Sequence, residues 1–233
     1  MRVKRIHTIT YSRLITLCAL AIGVIVFAGC GAGKVETPAL AGSPVRAVPP
    51  PPTEKELVAL VGFENKSTYS ADKLWETSAE MLMSELIRMS YFRVVEWEKM
   101  KSLFDREALR TCSLIKDPDK RNQARGILLC QYFLSGALTR FDVVQQSQVS
   151  AISKAKTFET NVRVDLLLQD ARSGEYLSQG RGEAKAVKTY KGSIGGGQAG
   201  TWDPASANEA LELALSSALS QLIDSYANSR GRK

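Results

Sequence analysis

The chain has 233 residues, 31 Lys and Arg against 24 Asp and Glu, a formal charge of +7 and a single histidine, His7. Four cations and that histidine lie in residues 1–29, so removal of this segment would leave 27 cations against 24 acids, about +3. A net charge of about +3 does not indicate nucleic-acid binding. Without a histidine, the segment after residue 29 also lacks the usual general base of a serine hydrolase. We therefore expect neither a nucleic-acid partner nor an enzyme.

The first thirty residues have the order of a bacterial export signal. Residues 2–13 contain four Lys or Arg side chains and no acidic one, and the apolar run 14–27 follows them. This run is shorter than the roughly 20 residues of a membrane-spanning helix. The ending Val26-Phe27-Ala28-Gly29-Cys30 resembles the lipobox of bacterial lipoproteins, whose cysteine receives a diacylglyceryl group before cleavage. We predict a signal peptide at 1–29 and lipidation at Cys30. The alternative is an uncleaved anchor helix with an unrelated cysteine.

Residues 30–53 are predicted to form a lipidated tether. Gly31, Gly33 and the run Pro49–Pro52 disfavour helix and sheet, and the proline run favours extended polyproline II at about 3.1 Å per residue. The tether would hold the domain away from the membrane or wrap on a neighbouring subunit, and the sequence leaves both open. Gly31 is not the Asp of inner-membrane retention signals, which favours the outer membrane.

The first half of the domain, which we place at residues 54–228, alternates strands and helices. The apolar run 57–63 predicts a strand buried on both faces. A helix is expected from Ser70 or Asp72, because residues of one face recur every three to four positions: Leu74, Ser78, Leu82, Leu86 and Met89. A strand at 91–96 and a helix from Trp97 to Ala108 follow. A third helix is predicted at 117–127, with Asp117 as cap and Pro118 at its first position.

The second half contains the β region and the last helix. We predict strands at 132–141, 157–169 and 176–190, with a turn at 170–175 in which Gly174 adopts positive φ. The residues Leu211, Leu215, Leu219, Leu222 and Tyr226 mark the buried face of a final helix that Asp203 and Pro204 open. Residues 229–233 are expected to be a basic tail. This order predicts one α/β domain.

No motif supplies a catalytic, metal or cofactor site. Residues 29–34 resemble a phosphate-binding loop but lack the required Gly at 28 and Ser or Thr at 35. The glycine-rich segment 192–200 has no lysine and is typical of a flexible loop or hairpin tip. Carboxylates such as Glu96 and Glu98 are common at strand and helix ends. Three tryptophans are expected in the core or an interface: Trp75, Trp97 and Trp202.

Two cysteines remain in the domain, Cys112 and Cys130. Export would deliver them to an oxidising compartment, where a disulfide across the predicted helix could form. The alternative is two buried free thiols, and the sequence does not decide between them.

Five segments in fixed order behind the lipobox resemble the CsgG/HfaB family. They are 58–67 (VALVGFENKS), 81–86 (MLMSEL), 91–96 (YFRVVE), 132–139 (YFLSGALT) and 164–175 (VDLLLQDARSGE). The resemblance covers roughly residues 57–226. It implies an anticodon-binding-domain-like α/β fold, a single three-layer-like domain whose mixed sheet is flanked by helices.

The same resemblance implies a lipoprotein of the bacterial outer membrane whose domain faces the periplasm. Such subunits form a homo-oligomeric ring that exports or anchors extracellular fibre or adhesin subunits together with other secretion or envelope proteins. We assign no constriction residues, because the loop after the first strand has only Tyr69 and lacks the family's Asn-Phe pair. The runner-up is a resemblance to the LpoB group, periplasmic lipoproteins that activate a peptidoglycan synthase.

Pores of this family insert two hairpins per subunit into the membrane. The first candidate runs from Phe141 to Val164, because one face of its two strands is largely apolar and the other is polar. The membrane-facing residues would be Phe141, Val143, Val149, Phe158, Val162 and Val164. The second candidate, 183–202, alternates poorly. An ordinary half-exposed sheet would explain both stretches equally well.

Overall fold

The computed structural model describes residues 33–36, 47–71, 73–149, 153–193 and 201–230. Its elements, in chain order, are β1 Gly33–Glu36, β2 Leu57–Asn65, α1 Leu74–Met89, β3 Arg93–Val94, α2 Trp97–Leu103, α3 Arg106–Arg110, α4 Ser113–Lys116, α5 Pro118–Leu128, β4 Tyr132–Val149, β5 Ser153–Asp170, β6 Tyr176–Ser193 and α6 Pro204–Arg230. The strands form one sheet in the order β1-β6-β5-β4-β2-β3. The β2 pairs with β3 and β4 are parallel, and the other pairs are antiparallel. The predicted α/β class with a mixed sheet is confirmed.

Helices cover both faces of the inner part of this sheet. On one face α6 lies directly on β6, since a Cβ added at Gly182 would stand 1.8 Å from the carbonyl oxygen of Ala214. On the other face the end of α3 lies on β2, where a Cβ at Gly62 would stand 2.1 Å from the carbonyl oxygen of Leu109. α1 packs beside α6. The core fills the space between these layers, with fully buried side chains such as Phe63, Phe133, Leu82, Leu166 and Leu211.

The helix prediction holds where a local capping signal supports it. The Asp117 carboxylate accepts hydrogen bonds from the backbone N–H groups of Asp119 and Lys120, and Pro118 opens α5 as expected. The single helix predicted from Trp97 to Ala108 is wrong, because Phe104 is extended and separates α2 from α3. The predicted strand at 91–96 is paired only at Arg93–Val94. α1 begins at Leu74, slightly later than predicted.

The last three strands are longer than the sequence predicts. β4, β5 and β6 each contain 18 residues. Their inner halves carry the apolar alternation by which strands are recognised, whereas residues 144–149 are exposed and mostly polar. Pairing with neighbouring strands continues without a hydrophobic face, since backbone hydrogen bonds do not depend on the side chains.

Two segments that were expected to lie outside the domain are part of it. Residues 33–36, assigned to a tether without sheet, pair with β6 as β1. The backbone N–H of Ala47 donates to the Asp224 carboxylate at 2.7 Å, so this end of the tether lies against α6. Arg230, assigned to a basic tail, is the last residue of α6 and contacts Glu56 at 2.9 Å. An extended segment of any composition can add to an open strand edge, which is why composition alone did not identify β1.

Candidate functional site

The predicted lipidation site, Cys30, lies outside the described residues. Among the residues that the structure describes, no group of three His, Cys, Asp or Glu side chains is placed to hold a metal ion. No helix in these described ranges is long and apolar enough to cross a membrane. The described residues also present two cysteines, exposed strands and polar clusters.

Cys112 and Cys130 are both free and buried. The Cys112 sulfur lies 3.0 Å from the position that a Cβ added to Gly62 would take. Cys130 lies near Val58 at the start of β2, because it is two residues before Tyr132, which pairs with Val58. Gly62 is four positions after Val58, about 13 Å along β2. A disulfide needs Cα atoms within about 7 Å of each other. The structure thus has two buried free thiols, the second of the two possibilities that the sequence left open. Burial raises the pKa of Cys112 to about 12 and that of Cys130 to about 11.

Most of the predicted membrane-facing residues belong to the interior of the domain. The four residues Phe141, Phe158, Val162 and Val164 are buried, whereas Val143 and Val149 are 38% and 71% exposed. The Tyr69 ring lies 4.8 Å from that of Phe141, and the Trp202 indole donates to the Thr160 hydroxyl at 3.1 Å. Residues of the same chain therefore occupy the place that lipid was predicted to take at these four positions. The half-exposed sheet describes them better.

In the outer halves of β4, β5 and β6, the β4 strand becomes exposed. We call residues 142–149, 153–161 and 185–193 the distal sheet, because Asp142 pairs with Asn161 and Asn161 with Lys185. β2 ends at Asn65, opposite Leu138. From Arg140 to Val149, β4 therefore has no strand partner on that side within the described structure. An open edge of this length presents unpaired N–H and C=O groups to any strand that approaches.

Three ion pairs cross from β5 to β6 on the sheet face opposite α6. They join Arg163 to Glu183 at 2.6 Å, Lys185 to Glu159 at 2.7 Å and Arg181 to Asp165 at 2.6 Å. The hydrogen bond from Lys185 lowers the pKa of the Glu159 carboxyl. Such partly exposed pairs contribute modestly to stability, about 0.2–1 kcal/mol each, and they leave this face charged and open.

Sequence reasoning missed a half-buried cluster at the inner end of the sheet. The Tyr132 and Tyr226 hydroxyls both donate to the Glu56 carboxylate, at 2.9 and 2.5 Å. Arg230 reaches the same carboxylate and its guanidinium lies over the Tyr226 ring. Burial, with the carboxylate beside it, raises the pKa of Tyr226. The cluster joins the start of β2 to the end of α6, and no local signal links residues this far apart in the chain.

A polar pocket of about 390 Å³ lies where β2 ends, lined by residues that include Glu64, Asn65, Ser67, Trp75 and Arg110. Burial alone would raise the pKa of Glu64, but hydrogen bonds from Lys116 and Lys66 lower it. The carboxylate is therefore held ionised between two ammonium groups. It has the properties of a structural ion-pair network and not those of a general acid.

Several solved structures match this chain at low sequence identity. Lipoprotein GNA1162 from Neisseria meningitidis is 11% identical, with a TM-score of 0.42, over 76% of this chain and 99% of that chain. The PelC dodecamer from Paraburkholderia phytofirmans is 17% identical, with a TM-score of 0.38, over 82% and 98%. The LpoB C-terminal domain from Salmonella enterica is 14% identical, with a TM-score of 0.38, over 55% and 81%. No curated protein matches significantly.

The family comparison covers most of the chain. The model described as curli production assembly/transport component CsgG matches residues 44–230. This confirms the resemblance that the five sequence segments indicated. The match includes all described residues of the domain except β1. The chain therefore belongs to the CsgG family.

Proposed function

We propose that this chain is a bacterial outer-membrane lipoprotein of a CsgG-like secretion or assembly system. Its copies form a ring that exports or anchors extracellular fibre or adhesin subunits, and Cys30 carries the lipid. The observation that carries this proposal is the match to the CsgG family over residues 44–230, directly behind a lipobox. The chain is not an enzyme in this proposal, since its domain contains no histidine and both its thiols are buried.

The open edge of the distal sheet supports assembly from identical copies. Residues 140–149 of β4 pair with β5 on one side. On the other side, these ten residues have no strand partner within the described structure. On the opposite side of the sheet, the described part of the amino-terminal chain covers β6 at residues 185–188. Towards the inner end of β6, the Gln221 side chain of α6 accepts a hydrogen bond from the backbone N–H of Arg181 at 2.6 Å. It therefore occupies the edge of β6 at that residue. The remaining end of β6, residues 189–193, is thus the counterpart to which β4 of a neighbouring copy could pair, and repetition of this contact closes a ring.

The position of β1 argues against the runner-up, a lipid-anchored activator that reaches the cell wall. Such a protein needs a long tether between its lipid and its domain. Here Gly33, three positions after Cys30, already pairs with Lys188 of the sheet. Three residues span at most about 11 Å. A lipid on Cys30 would therefore lie close to the domain.

Metabolic labelling with a fatty-acid analogue tests the anchor. The wild type is expected to carry label and the Cys30→Ser variant is not, with the Cys18→Ser variant as a control that keeps the label. Equal labelling of the wild type and Cys30→Ser would rule out lipidation at this residue.

Detergent-extracted protein tests the ring. We expect a single large oligomer by native mass spectrometry and electron microscopy. Cations at exposed edge positions, Val144→Lys with Gln146→Lys, should shift it to monomer, because in the proposed contact they would face the lysine-bearing end of β6 in the neighbouring copy. Ser173→Lys, in the turn at the other end of β5, is the matched control. A wild-type monomer at micromolar concentration would overturn the assembly proposal.

A further inference from the structure

Two chain segments meet at the inner end of the sheet. Residues 129–131 join α5 to β4, and residues 171–175 join β5 to β6. The backbone N–H of Ala171 donates to the carbonyl oxygen of Gln131 at 3.0 Å, which holds the two segments together. A cavity of about 410 Å³ is lined by both segments and by the last turn of α5, and its wall includes Arg125, Leu129, Cys130 and Arg172. This cavity is separate from the polar pocket at the end of β2.

One residue of the cavity wall, Leu129, has an unfavourable backbone conformation and an exposed side chain. It follows the last residue of α5 with φ 52° and ψ 29°, in the left-handed region, and its N–H donates to the carbonyl oxygen of Arg125 at 2.8 Å. Helices often end in this conformation, but usually with glycine, because a side chain adds strain there. Leu129 is also 76% exposed, so burial does not offset this strain. A strained, exposed apolar residue indicates a contact with another molecule.

The cavity wall carries more positive than negative charge. Arg125 and Arg172 are both exposed, and neither guanidinium forms a hydrogen bond or ion pair with another residue in the described part of the chain. The carboxylate on the wall is that of Asp170, whose Oδ1 accepts from the backbone N–H groups of Arg172 and Ser173 at 2.8 and 2.7 Å. Burial alone would raise the pKa of Asp170, but these hydrogen bonds lower it. Asp170 is thus ionised and held by the turn, and two guanidiniums remain available to an acidic group.

We propose that this cavity binds a peptide segment of another protein in which a carboxylate lies beside an apolar side chain. Arg125 and Arg172 bind the carboxylate, since guanidinium groups match carboxylates with paired hydrogen bonds. The apolar side chain packs on Leu129 and excludes water from this contact. The carboxylate belongs either to the end of the partner chain or to an acidic side chain, because both present the same group. The site depends neither on the lipid nor on the ring.

Saturation-transfer nuclear magnetic resonance tests the site with small probes, because it observes the ligand and tolerates a large oligomer. The full chain is purified in detergent, and micelles without protein give the background. The first probe is N-acetyl-leucine, which carries an apolar side chain and a terminal carboxylate. N-acetyl-leucinamide lacks the charge, and acetate lacks the apolar group. The blocked dipeptide acetyl-leucyl-aspartate amide carries its carboxylate on a side chain.

We expect N-acetyl-leucine to bind with a Kd of about 1–10 mM, the range for a ligand of about a dozen non-hydrogen atoms. N-acetyl-leucinamide and acetate should each bind about tenfold more weakly, because each lacks one of the two contacts. If the dipeptide binds more tightly than N-acetyl-leucine, the partner supplies an acidic side chain, and the reverse order indicates a chain end. Either order supports the site.

Two variants locate the binding. Arg125→Gln with Arg172→Gln should weaken the binding of N-acetyl-leucine about tenfold, because both guanidiniums are lost. The matched control, Lys73→Gln with Lys99→Gln, removes two exposed cations elsewhere and should bind as the wild type does. Circular dichroism checks that each variant is folded, and the comparison of the acid with its amide needs no variant.

Leu129→Gly separates docking from a structural role. Glycine adopts the left-handed conformation without strain, so the urea midpoint of this variant should stay the same or rise, while its affinity for N-acetyl-leucine falls about fivefold. A lower midpoint with unchanged affinity would show that Leu129 serves the fold alone and would overturn the proposal. Absence of binding by N-acetyl-leucine, equal binding of the acid and its amide, or unchanged affinity in the arginine double variant would also overturn it.

Discussion

The inner and outer halves of the same three strands differ in what holds them in place. In the inner half, Leu134, Leu166 and Leu168 are fully buried between helices. In the distal sheet Val144 and Val149 of β4 are exposed, although Phe158 of β5 is buried, and the Lys185–Glu159 ion pair supports the backbone pairing. One set of strands thus contains a region specified by packing and a region free to contact other molecules.

Thiol reactivity should show this difference most strongly. Burial raises the pKa of Cys112 to about 12, so its thiolate is scarce at neutral pH compared with an exposed thiol of pKa about 8.5. We expect iodoacetamide to modify Cys112 and Cys130 at least a thousandfold more slowly than a cysteine introduced by Ser147→Cys. Mass spectrometry of timed samples measures the rates. In denaturant all three should react alike, and a native mass two daltons lower would instead reveal a disulfide.

Truncation of a core side chain should have the next largest effect. Leu166→Ala removes a fully buried side chain, and we expect the free energy of unfolding to fall by about 3 kcal/mol, within the usual 2–5 kcal/mol for such changes. Val149→Ala, at an exposed position, should change it by less than about 0.5 kcal/mol. Urea unfolding followed by circular dichroism compares the two. Similar losses would mean that the distal sheet is packed against something in the free protein.

The tyrosine cluster should have an intermediate effect. Tyr226→Phe leaves the ring in place but removes the hydroxyl that donates to Glu56 and lies 2.9 Å from the Tyr132 hydroxyl. We expect a loss of about 1 kcal/mol, because a half-buried carboxylate then loses one of its donors. Tyr176→Phe, at an exposed tyrosine, is the control and should be neutral. An unchanged urea midpoint for Tyr226→Phe would show that the cluster does not hold α6 to β2.

The smallest effect is expected in the acid dependence of stability. The folded-state pKa of Glu64 is lowered by its bonds to Lys116 and Lys66, so its contribution is present above the unfolded pKa near 4.5 and is lost as pH falls through the lower folded value. Because both lysines are more than half exposed, we expect at most about 1 kcal/mol. Lys116→Gln should reduce the difference in stability between pH 7 and pH 3. An unaltered pH profile would contradict the assignment.

Local sequence signals determined several elements correctly. The apolar run of β2, the cap of α5 by Asp117 and the turn with Gly174 at φ +79° all depend on neighbouring residues. The family resemblance rested on these same core patterns. Each of these features is set by contacts between residues close in the chain or by burial on both faces, so the sequence displays it directly.

The tertiary structure alone decided the remainder. β1 exists because the edge of β6 accepts it, and the outer half of β4 exists because β5 pairs with it. Phe141 and Val162 alternate as a membrane-facing strand would, but residues distant in the chain cover them. Periodicity shows that a face is apolar without showing what lies on it. The occupant of that face is determined by contacts between distant residues, and these form only when the whole domain folds.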